Sequence, residues 1–187
     1  RNVSPNVWVY TPLIIPFHRF WFIRFLNNNL LNLILKFYVW KLNFQNHIAW
    51  TYNPTVLSLI KRFKPKKIVY HSVDDLSASP GIDKSLIQTK EKELLKEADT
   101  VFCTSLKIFN QCNKIAKERT FYFSNVVDYD HFSKARENLD EPNDLKEISR
   151  PRIGFVGAVS EYKVDIELIL SVAKKYPHWH WVLIGKV

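Results

Sequence analysis

Apolar positions along the chain fall into short runs bounded by turn residues, with longer stretches of helical spacing between them. Residues 6–10 read as a strand closed by Pro12 and Pro16, and residues 20–42 as one or two helices. A strand over 48–52 stops at Asn53-Pro54 and leads into a short helix over 55–62. A strand over 67–71 then runs into Asp74-Asp75 and the turn Ser79-Pro80-Gly81, and a helix follows over 84–98. The compact run 100–104 is a buried strand, with Ser105 placed to cap a helix over 106–114. Residues 120–123 form the next strand. A polar stretch over 133–150 precedes a strand over 152–156, a helix over 164–176 and a strand over 179–184. Strands alternating with helices predict parallel sheets joined by right-handed crossovers. The expected fold class is therefore α/β: a Rossmann-like parallel-sheet domain over 1–135, a linker over 136–151, and the first βαβ unit of a second Rossmann-like domain over 152–187. A second domain is not complete in so few residues, and the chain begins at Arg1 without any methionine, so it reads as a fragment.

Composition narrows the class. Of 187 residues, 47% are hydrophobic, too many for a disordered tail, and two cysteines are too few for a disulfide scaffold. The most apolar stretch, residues 17–42, is interrupted by Arg19, Arg24, Lys36 and Lys41 and by four asparagines, so it predicts no membrane span. With no export signal in view, a reducing cytoplasmic location is expected.

Charge changes the picture more than composition does. No acidic residue precedes Asp74, so residues 1–73 carry +10, while the remainder carries 17 basic against 18 acidic residues. The same stretch holds 15 of the 27 aromatic residues. A basic, aromatic half points to an anionic partner, a membrane surface or a polyanion. Arg19, Arg24, Lys36 and Lys41, interleaved with Trp21, Phe25 and Trp40, suit the interface of an anionic leaflet, which would place the protein peripherally on the inner face of the cell membrane. A core helix with wet lysines and arginines is the alternative. No nucleic-acid motif occurs, and the aromatics fall in strand and helix patterns expected to bury them, which argues against nucleic acid as the partner.

In open parallel sheets ligands sit beyond the carboxyl ends of the strands. That ranks two loops first. Asp74 and Asp75 put adjacent carboxylates after one strand, suited to a polar substrate or to developing positive charge, although Asp, Ser, Pro and Gly are also ordinary turn chemistry. Gly157, Ala158 and Ser160 follow another strand, where backbone N–H groups and a hydroxyl would meet a diphosphate and Lys163 would supply charge. His178 and His180 alternate without a further ligand nearby, and Cys103 and Cys112 have no metal or redox spacing. No metal or other cofactor is implied, and neither a Walker loop nor a nucleophile elbow is present.

Six segments in series resemble the family-4 glycosyltransferases of the GT-B fold, in the branch associated with teichuronic-acid-type and other cell-surface polysaccharides. They are Trp8-Val9-Tyr10-Thr11-Pro12 with Pro16-Phe17; Trp50-Thr51-Tyr52-Asn53-Pro54; Val69-Tyr70-His71-Ser72-Val73-Asp74-Asp75-Leu76-Ser77; residues 93–105, from Glu93 to Ser105; Asn125-Val126-Val127-Asp128 with His131-Phe132; and residues 151–158 leading to Val182-Leu183-Ile184-Gly185. The resemblance implies a retaining transferase that moves a sugar from a nucleotide-sugar donor to a cell-surface glycan or lipid-linked acceptor. It implies an acceptor-side first domain carrying Asp74 and Asp75, and a donor-side second domain carrying Gly157, Ala158, Ser160 and Lys163. It also implies that this piece alone is inactive, because the acidic donor motif of the family lies beyond it. The chain departs from the family at Val126, often glycine, and at Ala158 and Val164, where broader members carry arginine and glycine. The competing class is a non-catalytic basic α/β module that binds nucleic acid or a membrane surface.

Overall fold

The computed structural model describes residues 2–17, 20–44, 46–137, 139–161 and 163–186, with Arg24 described in its backbone alone. The chain divides into two compact units, residues 1–125 and 126–187. Each is an α/β arrangement built on parallel strands.

The first unit opens with an antiparallel ribbon, β1 (Asn2–Ser4) and β2 (Val7–Trp8). The single strand expected over 6–10 is thus replaced by a hairpin, because Pro5 and Asn6 form its turn. Asn6 takes φ 61°, a left-handed conformation asparagine tolerates. Residues 21–41 form one continuous helix, α1 (Trp21–Lys41). Asn27, within an otherwise apolar run, is explained by its contacts. It is buried, and its side-chain amide both accepts from Ile15 N–H and donates to Ile15 C=O at 2.9 Å, tying the preceding chain to the helix. Tyr10 against Tyr38 and Trp8 against Phe44 continue that seam.

Four parallel strands follow in the order of the sequence: β3 (Ile48–Thr51), β4 (Lys67–Ser72), β5 (Thr100–Cys103) and β6 (Thr120–Tyr122). This sheet makes the unit Rossmann-like. Its crossovers are α2 (Leu57–Arg62), α3 (Lys84–Glu97) and α4 (Leu106–Ala116). Right-handed crossovers that all advance in one direction leave every connecting helix on one face. The core is accordingly one-sided: Ile68, Tyr70, Val101 and Cys103 point at Leu57, Leu94, Leu95, Ile108, Cys112 and Ala116. Caps fix the helix starts, with the side chains of Asp83 and Ser105 accepting from Leu86 N–H and Ile108 N–H. Asp99 pins the junction before β5, its two oxygens taking Lys67 Nζ at 2.7 Å and Ile68 N–H at 2.9 Å.

In the second unit β7 (Arg152–Val156) and β8 (His180–Ile184) pair in parallel around α7 (Ile166–Lys175), which Asp165 caps. The stretch expected to be a linker, 136–151, belongs to this unit and contains α6 (Asn143–Lys146). The unit boundary falls after Asn125 rather than at 135. Arg152 holds the stretch: its guanidinium meets Glu141, and its Nε donates to Ile148 C=O at 2.6 Å. Asp128 caps α5 (Tyr129–Ser133) just inside the new boundary.

Candidate functional site

Ser72, the last residue of β4, delivers the chain into the loop carrying the paired carboxylates. β5 steadies that loop from the side: Thr104 Oγ1 donates to Val73 C=O at 2.8 Å and Thr104 N–H to Ser72 C=O at 3.4 Å. The two aspartates then divide. Asp75 turns inward on its own loop, accepting from Ser77 N–H at 3.1 Å and from Ser77 Oγ at 2.6 Å, which nucleates the single 3₁₀ turn Leu76–Ala78. Asp74 is exposed, and among the described residues its carboxylate takes no hydrogen bond. Asp74 is thus the exposed carboxylate of the pair, while Asp75 shapes the loop.

Asp75 and Ser77 also roof a cavity of about 370 Å³ between α3 and α4, whose polar lining includes Gln88, Glu91, Lys92 and Gln111. Sequence spacing did not single out these residues, because they come from two helices and a loop. At its inner wall Tyr70 Oη donates to Glu91 Oε1 at 2.6 Å, and Ser72 Oγ stands 3.5 Å from the same oxygen. Burial, and then the Glu91 carboxylate, push the Tyr70 phenol far above its ordinary range, so it stays a donor. Beside them the two thiols shift each other in opposite directions. Cys103 is pulled down by the thiol of Cys112, and Cys112, donating to it and buried, is pushed up. Both are free and enclosed in the core.

On the opposite face of the sheet the outcome differs from the sequence reading. Trp50, Tyr52, Phe121 and Phe123 are exposed, where their strand alternation led us to expect burial. The physical reason is the one-directional strand order, which sends no crossover helix to that side. Trp50 stacks on Phe102 at 5.4 Å, and Tyr52 lies 4.9 Å from the His71 ring. His71 Nδ1 is buried there with no hydrogen-bond partner among the described residues.

The second unit brings Gly157, Ala158, Ser160 and Lys163 together in the loop from β7 to α7. Gly157 N–H, expected to face a diphosphate, is already used: it donates to Ile184 C=O at 2.9 Å, and Val159 N–H donates to Lys186 C=O at 2.9 Å. These bonds zip the loop to the end of β8. Gly185, at the end of the Val182–Gly185 segment, is what permits the closure, since a Cβ there would stand 1.8 Å from Gly157 C=O. Ala158 N–H donates to no described residue, and Ser160 is exposed, so both remain open to a ligand. Lys163 lines a shallow cavity of about 600 Å³ together with Glu161, Asp165 and Glu167. One ammonium among three carboxylates gives no anionic preference by itself. Of the cations proposed for a surface role, Lys36 and Lys41 are exposed on α1, Arg19 lies outside the described residues, and so does the Arg24 side chain. Among the described residues no group of three or more His, Cys, Asp or Glu could hold a metal ion.

Fold and loops together define an α/β protein of Rossmann-like class with polar groups at the carboxyl ends of its parallel strands. No protein-family model and no curated protein matches the sequence.

Proposed function

We propose that this chain is part of a GT-B glycosyltransferase of the family-4 type that moves a sugar from a nucleotide-sugar donor to a cell-surface glycan or lipid-linked acceptor. The observation that carries the reading is the loop after β4. It presents the unpartnered carboxylate of Asp74 at the carboxyl end of a parallel strand, on a turn braced by Asp75 and by Thr104. Moving a sugar off a diphosphate requires stabilising an oxocarbenium-like centre and the departing diphosphate. In this reading Asp74 serves the acceptor side, and Asp75 acts through the shape of the loop. Ala158 N–H and Ser160 are the diphosphate contacts, with Lys163 a lesser one because of its acidic neighbours. The order of motifs along the chain supports the assignment, and the reaction is retaining by the same resemblance.

The test uses a polypeptide that carries this chain together with a complete donor-side domain, assayed for release of nucleoside diphosphate from a panel of nucleotide-sugars. Asp74→Ala is expected to lower turnover by about 10²-fold or more, the scale of a lost transition-state electrostatic contact. Unchanged turnover in that variant would refute the acceptor-side assignment. The 187-residue chain alone is expected to show no transfer.

A second reading, a non-catalytic module for single-stranded nucleic acid, is favoured by the bare aromatic face of the sheet, to which the basic first 73 residues contribute Trp50 and Tyr52. Fluorescence anisotropy with a labelled oligonucleotide decides it. Salt-sensitive binding that is lost in Trp50→Ala would favour this module over the transferase.

A further inference from the structure

We propose that the outward face of α1 docks in the plane of an anionic membrane surface. At 100° per residue Trp21, Phe25, Leu33, Phe37 and Trp40 fall within one arc of about 160°, and each side chain is more than half exposed. The other arc, with buried Asn27 and half-buried Leu31, Ile34 and Tyr38, faces the body of the unit. The outward arc is thus largely apolar although no packing among the described residues covers it, with Asn29, Asn32 and Lys36 the polar positions within it. An exposed, mostly apolar face of this kind marks an interaction surface.

Two features select lipid as the occupant. The first is charge: the first 73 residues contain no acid, so nothing there repels a phosphate, and the exposed cations Lys36 and Lys41 lie on or beside the outward arc. Lys41 reaches back over the Phe37 ring at 5.8 Å, which keeps its ammonium beside the apolar face. Lys36 sits within the arc, where its flexible stem lets the ammonium rise to headgroup level while the methylenes stay apolar. The second is the placement of tryptophan at both ends, Trp21 and Trp40, about 28 Å apart along the axis. Amphipathic indoles belong at the boundary of headgroup and acyl chain, and two at opposite ends level the helix in that boundary. Among the described residues no helix is long and apolar enough to cross a membrane, which leaves the in-plane arrangement for α1. This inference does not depend on the transferase reading, and a failed transfer assay leaves it standing.

The experiment is co-sedimentation of the 187-residue chain with vesicles of equal parts phosphatidylglycerol and phosphatidylcholine, beside vesicles of phosphatidylcholine alone. At low salt the chain is expected to pellet with the anionic vesicles and to be released by about 0.5 M salt, where screening shortens the reach of each charge. Lys36→Gln and Lys41→Gln should each weaken binding about fivefold. The triple variant Trp21→Ser, Leu33→Ser, Trp40→Ser should weaken it about tenfold or more, with its circular dichroism unchanged because the three side chains make little of the fold. Recovery in the supernatant with both vesicle types overturns the proposal, as does equal binding to both. A triple variant that pellets like the parent overturns it too. If that variant instead converts a dimer to a monomer without changing vesicle binding, the face serves a second copy of the chain and the proposal is wrong.

Discussion

Replacing Tyr70 by phenylalanine removes one oxygen from the middle of the first unit and leaves its packing intact. The side chain is 1% exposed, and its hydroxyl donates to Glu91 Oε1 at 2.6 Å. Ser72 Oγ, 3.5 Å from the same oxygen, is too distant to take over the bond. A hydrogen bond to a charged acceptor is worth about 1.5–3 kcal/mol, so Tyr70→Phe should cost about 2 kcal/mol at neutral pH. The pH dependence makes the test sharper. Burial and the neighbouring carboxylate hold the folded phenol protonated well above the range in which an unfolded tyrosine ionises. Above about pH 10 the unfolded chain therefore binds fewer protons than the folded one, and stability falls by about 1.4 kcal/mol per pH unit on account of this residue. The variant lacks that share of the fall. The gap between parent and variant, about 2 kcal/mol at pH 8, should shrink above pH 10 and close near about pH 11.5. Urea unfolding followed by far-ultraviolet circular dichroism at a series of pH values reads the gap directly. A gap below about 0.5 kcal/mol at pH 8 would mean that the bond contributes nothing net, and a gap constant from pH 8 to about pH 11 would mean that the phenol ionises normally in the folded chain.

Gly185→Ala should destabilise the second unit by more than about 2 kcal/mol, because its φ of +153° is joined by a Cβ collision with Gly157 C=O, whereas Gly154→Ala, with open space around it, should be near neutral in the same thermal melt. Asp75→Ala should cost about 1 kcal/mol through loss of the Ser77 cap, while Asp74→Ala should stay within about 0.5 kcal/mol, a contrast that chemical denaturation resolves. Asp99 is held below the usual carboxylate range, first by its bond from Lys67 and then by Ile68 N–H, so the stability it supplies is present above about pH 4 and lost as pH falls through the lowered value. Asp99→Asn should accordingly lose less stability on acidification than the parent does, and an identical acid profile in the two would refute that role.

Most of the regular elements were legible in the chain because their causes are local. The strands expected over 48–52, 67–71 and 100–104 follow from short apolar runs closed by Asn-Pro or polar turns, and α4 begins where Ser105 can cap it. Parallel pairing followed as well, since strands separated by helices have no other short route. What the sequence left open was which side of each element would be covered. Alternating aromatics at 50 and 52, and again at 121 and 123, look the same whether a helix lies over them or not, and only the strand order of the sheet exposed them. The helical period of α1 likewise does not say which arc packs, and the contacts of Asn27 and Tyr38 decided it. Adjacent Asp74 and Asp75 are chemically identical, yet a single turn committed one to the backbone and left the other open. In the sequence Gly157 looks like a free donor because its partner, Ile184, stands 27 residues further along the chain, and Tyr70 meets Glu91 across a separation of 21. Period and capping act over a few residues and are written in the sequence; covering a face or consuming a donor takes groups that only the folded chain brings within bonding distance.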